Sequence, residues 1–153
     1  MTIFPEHIHV RVVEAATSKS IPNIVLGINL FANHKDNYGF PLPITNDKGA
    51  IEVSREWLSH KVDQIRSVFL MDYSSPLDDC QPKFELIFFD GEGIKRLVSA
   101  QKLYQKALNI PDFQIESYLH TDNWKYSKMS KIIEFTQEKI VDVSLLANKI
   151  AGL

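Results

Sequence analysis

Two histidines near the start of the chain are the first residues whose spacing could support chemistry. His7 and His9 are separated by one residue in an alternating segment, so in a strand both side chains would lie on the same face. Two imidazoles on one face can bind a metal ion, but a zinc site needs at least a third protein ligand. No neighbouring cluster of Cys, Asp or Glu supplies one. We therefore expect surface histidines and no metal site.

Several other short motifs match ligand-binding sequences only in part. His34 and His120 each precede an aspartate by two positions, and the polarity of a loop is enough to explain both pairs. Residues 46–49 have the carboxylate and glycine of a calcium loop without its alternating oxygen ligands or closing Glu. Residues 91–93 lack the third glycine and the Lys-Ser/Thr ending of a phosphate loop. We expect turns at these places, and the sequence predicts no cofactor.

Cys80 is the only cysteine, which excludes an intrachain disulfide and favours a reducing compartment. A nucleophilic cysteine needs a neighbouring base or a positive field that lowers the pKa of the thiol. Asp78 and Asp79 precede Cys80 and would have the opposite effect on the pKa. The sequence thus predicts a structural thiol and no catalytic residue at this position.

Aromatic residues in polar surroundings are the best candidates for binding. Trp124 and Tyr126 stand among Asp, Asn and Lys, and the polar segment 33–39 contains His34 and Tyr38. Exposed aromatic side chains offer a large contact area at a low cost in conformational entropy. We therefore predict a partner or ligand surface formed by His34, Tyr38, Trp124 and Tyr126. The alternative for Trp124 is that it fills the open end of the core.

The first third of the chain has the alternation of a β-sheet protein. Apolar side chains recur every second residue in 8–12 and again in 24–30, which predicts two strands joined by a turn at 17–20. Residues 45–49 predict the next reversal, and 50–53 another short strand. The two prolines in 40–45 restrict that extended segment to a sheet edge or to irregular structure. These elements together predict an antiparallel β-sandwich.

Two helices and one strong strand follow. Ser54 has the character of an N-cap, and apolar residues at helical spacing continue to Phe69. The segment 72–82 is predicted as a loop. Residues 83–89 are apolar on both faces, which indicates an interior strand covered on both sides. A second helix is predicted over 94–108, after a turn made by 90–93.

The last third leaves alternatives open. Residues 113–126 have no sustained period, and we expect a loop with one short strand. Residues 131–146 fit either a helix or a hairpin that reverses at 137–139. The density of β-branched residues favours the hairpin. The segment 147–153 is expected to be a tail or a short helical turn.

The order of turns in the first third resembles the opening of a transthyretin-like domain, also called prealbumin-like or carboxypeptidase regulatory-like. The motifs are Thr-Ser-Lys-Ser-Ile-Pro-Asn and Thr-Asn-Asp-Lys-Gly, each between two strands. This resemblance implies a β-sandwich and little about function, because such domains include carriers, accessory domains of peptidases and a hydrolase. The hydrolase has a first-strand histidine and a Tyr-Arg-Gly-Ser tail, and residues 11–14 and 150–153 match neither. No catalytic residue is carried over.

Length and composition are those of an ordinary globular domain. The 153 residues suit one core, so we expect a single domain over 1–153 with helical insertions. A net charge of −2 without a basic cluster argues against a nucleic-acid partner. No apolar run is long enough for a membrane helix, and no signal peptide is visible, so we expect a cytoplasmic protein. A secreted chain trimmed of its signal would look the same.

These observations predict an α+β fold, a mainly antiparallel β-sandwich with two helices packed on it, and the resemblance implies that the sandwich is of transthyretin-like type. The predicted function is a non-catalytic protein–protein interaction module or accessory subunit. The alternatives are a small-molecule or carbohydrate binder and, third, a hydrolase with a dispersed site. Partners are expected to be another protein or a second copy. We expect association at a sheet edge, with strand 8–13 either offering that edge or lying inside the sheet.

Overall fold

The computed structural model of the chain describes residues 4–32, 37–69, 77–108 and 115–152, without the side chains of Val68, Phe69 and Leu108. In these parts the chain forms seven strands, two helices and three short 3-10 turns. The strands are β1 His7–Glu14, β2 Leu26–Leu30, β3 Tyr38–Pro41, β4 Ala50–Ser54, β5 Lys83–Phe88, β6 Met129–Glu134 and β7 Ile140–Ala147. The helices are α1 Arg55–Phe69 and α2 Gly91–Leu108, and the 3-10 turns are Leu77–Asp79, Glu116–His120 and Asn123–Lys125.

The strands form two sheets that enclose one main core. One sheet has the order β4-β1-β7 and the other the order β3-β2-β5-β6. All neighbouring strands are antiparallel except β1 and β7, which run parallel. The predicted α+β sandwich with two helices is therefore confirmed. No helix in the described ranges is both long and apolar enough to cross a membrane.

Strand β1 lies in the centre of the three-stranded sheet. Ile8, Val10 and Val12 are buried in the main core, whereas His7 and His9 lie on the outer face, as the alternation predicts. Because β4 pairs with one side of β1 and β7 with the other, β1 has no open edge. The prediction that 8–13 could accept a partner strand is wrong, and the internal alternative is correct.

Helix α1 begins where its cap predicts. The Ser54 hydroxyl accepts a hydrogen bond from the Trp57 N–H at 3.1 Å, which satisfies a donor that the first turn leaves open. Leu58 and Val62 are buried in the main core, and Trp57 packs at its margin against Phe40 of β3. The helix therefore covers the side of the sandwich at which β4 is the edge strand of one sheet and β3 the edge strand of the other. The side chain of Phe69 and residues 72–76 of the loop predicted over 72–82 lie outside the described residues, and the remainder of that loop contains the 3-10 turn Leu77–Asp79.

Helix α2 begins three residues earlier than predicted. Asp90 caps it, since its Oδ1 accepts a hydrogen bond from the Gly93 N–H at 2.7 Å. Gly91 and Gly93 thus belong to the first helical turn and not to a preceding loop. Ile94 and Val98 are buried in a second, smaller apolar cluster. That cluster also contains Val25, Ile115 and Tyr118, and the ring of Phe89 packs against it.

Strand β5 lies between β2 and β6, as expected for an interior strand. Phe84, Leu86 and Phe88 are buried in the main core. The next residue, Phe89, follows the opposite face and packs against the cluster under α2. Both sides of this part of the sheet are therefore covered, which confirms the prediction from the apolar pattern.

The segment 131–146 is extended, but the predicted hairpin is wrong. Strand β6 pairs with β5 in one sheet, and β7 pairs with β1 in the other. Phe135 explains the change of sheet, because it is buried between the layers with its ring centroid 4.7 Å from that of Phe4. Its N–H also donates to the Pro82 carbonyl at 3.1 Å, which keeps β6 on β5 until the chain crosses over.

Candidate functional site

Residues 115–126 form a compact surface segment, which we name the Trp124 platform. The first half of the platform is held in place by packing, because Ile115 and Tyr118 are buried in the second apolar cluster. Its middle is tied to Asn23, whose Nδ2 donates to the His120 carbonyl at 3.0 Å and whose carbonyl accepts from the Asp122 N–H at 2.9 Å. Two 3-10 turns replace the single loop and short strand expected over 113–126.

Asn123 anchors the second half of the platform and is fully buried. Its Oδ1 accepts a hydrogen bond from the Val25 N–H at 2.9 Å. Its Nδ2 donates to the Val25 carbonyl at 2.9 Å and to the Phe89 carbonyl at 2.8 Å. A buried amide with all these partners fixes both the position and the orientation of the turn. Sequence reasoning missed Asn123, because no local pattern distinguishes a buried asparagine from a loop asparagine.

Trp124 follows this anchor and points outward, with 53% of its surface exposed. Lys125 Nζ lies 5.5 Å from the centroid of the indole ring and 3.3 Å from Asp122 Oδ1. The Trp124 Cβ lies against the start of α2, where a Cβ added at Gly91 would be 3.5 Å away. The indole does not fill the end of the sandwich, so the structural alternative for Trp124 is wrong.

The two tyrosines predicted for the same surface are in the core. Tyr126 is only 6% exposed, its ring centroid lies 5.8 Å from that of Phe88, and its hydroxyl donates to Glu14 Oε2 at 3.3 Å. Burial first, and then the Glu14 carboxylate, raises the pKa of Tyr126. Tyr38 is fully buried in β3. Both predictions were wrong, because their rings complete the core; His34 lies outside the described residues.

The end of the chain passes directly beside the platform. The Ile150 N–H donates to the Lys125 carbonyl at 2.9 Å, and the Ser127 N–H donates to the Asn148 carbonyl at 2.8 Å. These bonds hold the segment after β7 against the platform, where we expected a tail or a helical turn. Ile150 is exposed there, and Leu119 is exposed on the 3-10 turn Glu116–His120. The platform and the adjoining tail therefore present three apolar side chains to solvent.

The histidine pair lies on the open face of the three-stranded sheet. His7 Nδ1 approaches Glu52 Oε1 at 2.8 Å without the alignment of a hydrogen bond. The His9 ring lies between two carboxylates, with Nδ1 3.2 Å from Asp142 Oδ1 and Nε2 3.7 Å from Glu52 Oε1. In the described part of the chain, no three or more His, Cys, Asp or Glu residues form a group that could hold a metal ion. The absence of a metal site stays a prediction.

Cys80 is buried behind the first 3-10 turn. Burial is the largest cause that raises the pKa of its thiol to about 11, and Asp79 contributes in the same direction. The Arg66 guanidinium opposes this shift but does not reverse it. At neutral pH the thiol is therefore protonated and inaccessible, which agrees with the predicted structural role.

Comparison with known proteins places the chain in no family. No family model matches it, and no curated protein matches it. A 9R-lipoxygenase from Cyanothece matches 92% of this chain with 16% of its own length, at 12% identity and a TM-score of 0.39. The pilus 2b backbone protein of group B streptococcus matches 99% of this chain with 43% of its own length, at 10% identity and a TM-score of 0.38. The chain thus spans less than half of either protein, and the argument for function rests on its own surfaces.

Proposed function

We propose that this protein is a non-catalytic interaction module or accessory subunit that binds another protein through the Trp124 platform. The observation that carries the proposal is a half-exposed tryptophan next to a fully buried, fully hydrogen-bonded asparagine. Tryptophan is among the residues that contribute most to protein interfaces. Because Asn123 already orders the turn, a partner that covers Trp124 would meet little additional loss of conformational entropy.

The surroundings of Trp124 favour a protein partner over a small ligand. Stacking of a sugar or another flat ligand would be favoured by a second exposed ring, but Tyr38 and Tyr126 are both buried. The ammonium group of Lys125 lies 5.5 Å from the centroid of the Trp124 ring, and the backbone of Ile150, an exposed apolar residue, bonds to Lys125. A half-exposed aromatic side chain with polar groups around it agrees with the composition of protein interfaces, which are rich in aromatic residues at the centre and polar at the rim.

The finer assignment of the fold belongs to the same proposal. We infer that the sandwich is of transthyretin-like type, with α1 and α2 interrupting the order of the strands. The turns at 17–20 and 45–49, on which the resemblance depends, connect β1 to β2 and β3 to β4. We also propose a cytoplasmic location, which rests on the single buried cysteine.

The test compares the wild-type protein with Trp124→Ala as immobilised baits in a lysate of the native host. Proteins retained by the wild type should bind the variant at least about thirtyfold more weakly, as expected for an interface anchor. Leu103→Ala is the matched control, because Leu103 is 71% exposed and lies about 18 Å along α2 from Gly91. Both variants should unfold at the wild-type temperature.

The binding of each retained protein is then measured with purified components. A partner that loses affinity with Trp124→Ala and keeps it with Leu103→Ala supports the proposal. If every retained protein binds Trp124→Ala as tightly as the wild type, the platform is not the binding surface. A sugar or other small molecule that quenches Trp124 fluorescence at micromolar concentration would favour the small-ligand alternative instead.

A further inference from the structure

Strand β7 forms an outer edge of the three-stranded sheet. It pairs with β1 on one side only, and it is eight residues long without an internal proline or glycine. Strand β3, an edge of the other sheet, instead ends in Pro41. Proteins usually interrupt or cover long regular edges, because unpaired backbone groups can accept another strand. An unpaired and regular edge strand of eight residues is therefore a candidate for pairing with another strand.

The hydrogen bonds of the sheet show which backbone groups of β7 point to that edge. The His7 N–H donates to the Lys139 carbonyl at 3.1 Å, and the Ala15 N–H donates to the Ala147 carbonyl at 2.8 Å. With His7 opposite Ile140, the odd-numbered residues of β7 therefore pair with β1. The even-numbered residues direct their N–H and carbonyl groups to the outer edge. These are Ile140, Asp142, Ser144 and Leu146.

The same four residues also direct their side chains to the open face of the sheet. All four are exposed, whereas Val143 and Leu145 between them are buried. Their order is apolar, acidic, hydroxyl, apolar. Among the described residues, the edge contact that the structure records is a hydrogen bond from Lys131 Nζ to the Ser144 carbonyl at 3.4 Å. A single exposed lysine side chain can move aside without disturbing the fold.

We propose that β7 pairs antiparallel with β7 of a second copy of this chain, about a two-fold axis at Val143. This register places Ile140 opposite Leu146 of the second copy, and Asp142 opposite Ser144. Each opposed pair consists of even-numbered residues, so the edge-facing N–H and carbonyl groups of both strands can bond to each other. Four pairs with two bonds each give eight backbone hydrogen bonds.

Neighbouring registers are less favourable for chemical reasons. An axis at Asp142 would place the two Asp142 carboxylates directly opposite each other, which destabilises a strand pair. An axis at Ser144 would place Asp142 opposite Leu146 and Ile140 opposite Asn148. A shift by one residue would oppose even-numbered to odd-numbered residues, whose backbone groups point away from the edge. The sequence of β7 therefore selects the axis at Val143.

The pairing joins the two β7 edges into one continuous six-stranded sheet with β4 at each end. A two-fold contact of this kind uses the same surface on both copies and ends the association at a dimer. Each Asp142 keeps its contact with His9 of its own chain at 3.2 Å, since His9 lies on the opposite side of β7 from the second copy. One strand pair is a small interface, so we expect a weak dimer that depends on concentration.

The test uses charge substitutions at Ser144, measured by sedimentation velocity from about 1 to about 500 µM. Ser144→Lys places an ammonium opposite each Asp142 of the other copy and should lower the dimer dissociation constant about fivefold. Ser144→Asp places a carboxylate there and should raise it about fivefold. An axis at Ser144 would instead oppose like charges in both variants and weaken both dimers. Changes of opposite sign in the dimer dissociation constant for the two Ser144 variants are therefore specific to the proposed register.

Two controls separate dimerisation from folding. Arg11 is the neighbour of Ser144 on β1, so Ser144→Asp should raise and Ser144→Lys should lower the unfolding temperature of the monomer slightly. That order is opposite to the order expected for dimer affinity. Ser130→Lys and Ser130→Asp are the matched variants on β6, an exposed edge position of the other sheet. They should leave the dimer unchanged.

Hydrogen exchange gives a readout at the level of single residues. The amides of Asp142, Ser144 and Leu146 should become more protected at high protein concentration, and the amide of Val143 should not change. A monomer at every concentration, or a dimer that responds equally to both Ser144 variants, would overturn the proposal. Trp124→Ala should leave the dimer intact, so this result is independent of the platform.

Discussion

The contribution of Asn123 to the fold can be tested by Asn123→Ala. The change removes one amide side chain and, with it, three hydrogen bonds to the backbone of Val25 and Phe89. It leaves one N–H and two carbonyl groups without their partners beside a fully buried position. An intramolecular hydrogen bond contributes about 1 kcal/mol, and a buried group left unpaired costs up to about 3 kcal/mol. We expect the free energy of unfolding to fall by about 3 kcal/mol.

Urea denaturation followed by circular dichroism measures this loss. The matched control is Asn46→Ala, which removes a side chain of the same size from an exposed turn. Asn46 Oδ1 accepts hydrogen bonds from the Lys48 and Ala50 N–H groups, and water can replace it at both. We expect a loss below about 1 kcal/mol for the control, because exposed groups are not left unsatisfied.

The local consequence distinguishes an anchor from an ordinary core residue. In Asn123→Ala the amides of the Trp124 platform should exchange faster than in the wild type, while those of β1 and β5 should follow global unfolding. Partner binding should weaken as well, because Trp124 is no longer held in place. A loss below about 1 kcal/mol, or one equal to that of Asn46→Ala, would refute the view that buried hydrogen bonds fix the platform.

Three further predictions concern packing, pH and metal binding. Gly27→Ala should destabilise the protein by about 1 to 3 kcal/mol in denaturation, because the new Cβ would lie 2.6 Å from Phe89 Cζ, and Phe89→Leu in addition should restore part of the loss. The pKa of Cys80 is raised from 9.0 to about 11, so between these pH values the thiol ionises in the unfolded chain alone. Stability should therefore fall as the pH rises through this range, with a smaller slope for Cys80→Ala in pH-dependent urea titrations. Stoichiometric zinc should leave the melting temperature unchanged, and an upward shift abolished by His9→Ala would reveal a metal site.

Local patterns were sufficient to predict the elements that depend on alternating side chains or on a cap within the first helical turn. The outer face of β1, the cap of α1 at Ser54 and the apolar interior strand β5 agree with the prediction because each depends on its own periodicity or its own first turn. The start of α2 was misjudged by three residues. Two glycines indicated a loop there, but Asp90 satisfies the first turn and makes a helix favourable.

Pairing and burial of single polar or aromatic residues were decided by the tertiary structure. Residues 129–147 have β-branched patterns that predict strands, but such patterns are the same whether two strands pair with each other or with β5 and β1. Burial of Phe135 between the layers separates them.

For the candidate site, the amino-acid pattern is sufficient to predict that Trp124 stands in a polar segment that could serve as a binding surface. The exposure of Trp124 and the burial of Tyr126 against Phe88, two residues later, follow from the packing of the folded chain. The same holds for Asn123, whose hydrogen-bond partners are 98 and 34 residues away in the sequence. Partners at such distances depend on how the sheets come together, and no local periodicity encodes that arrangement.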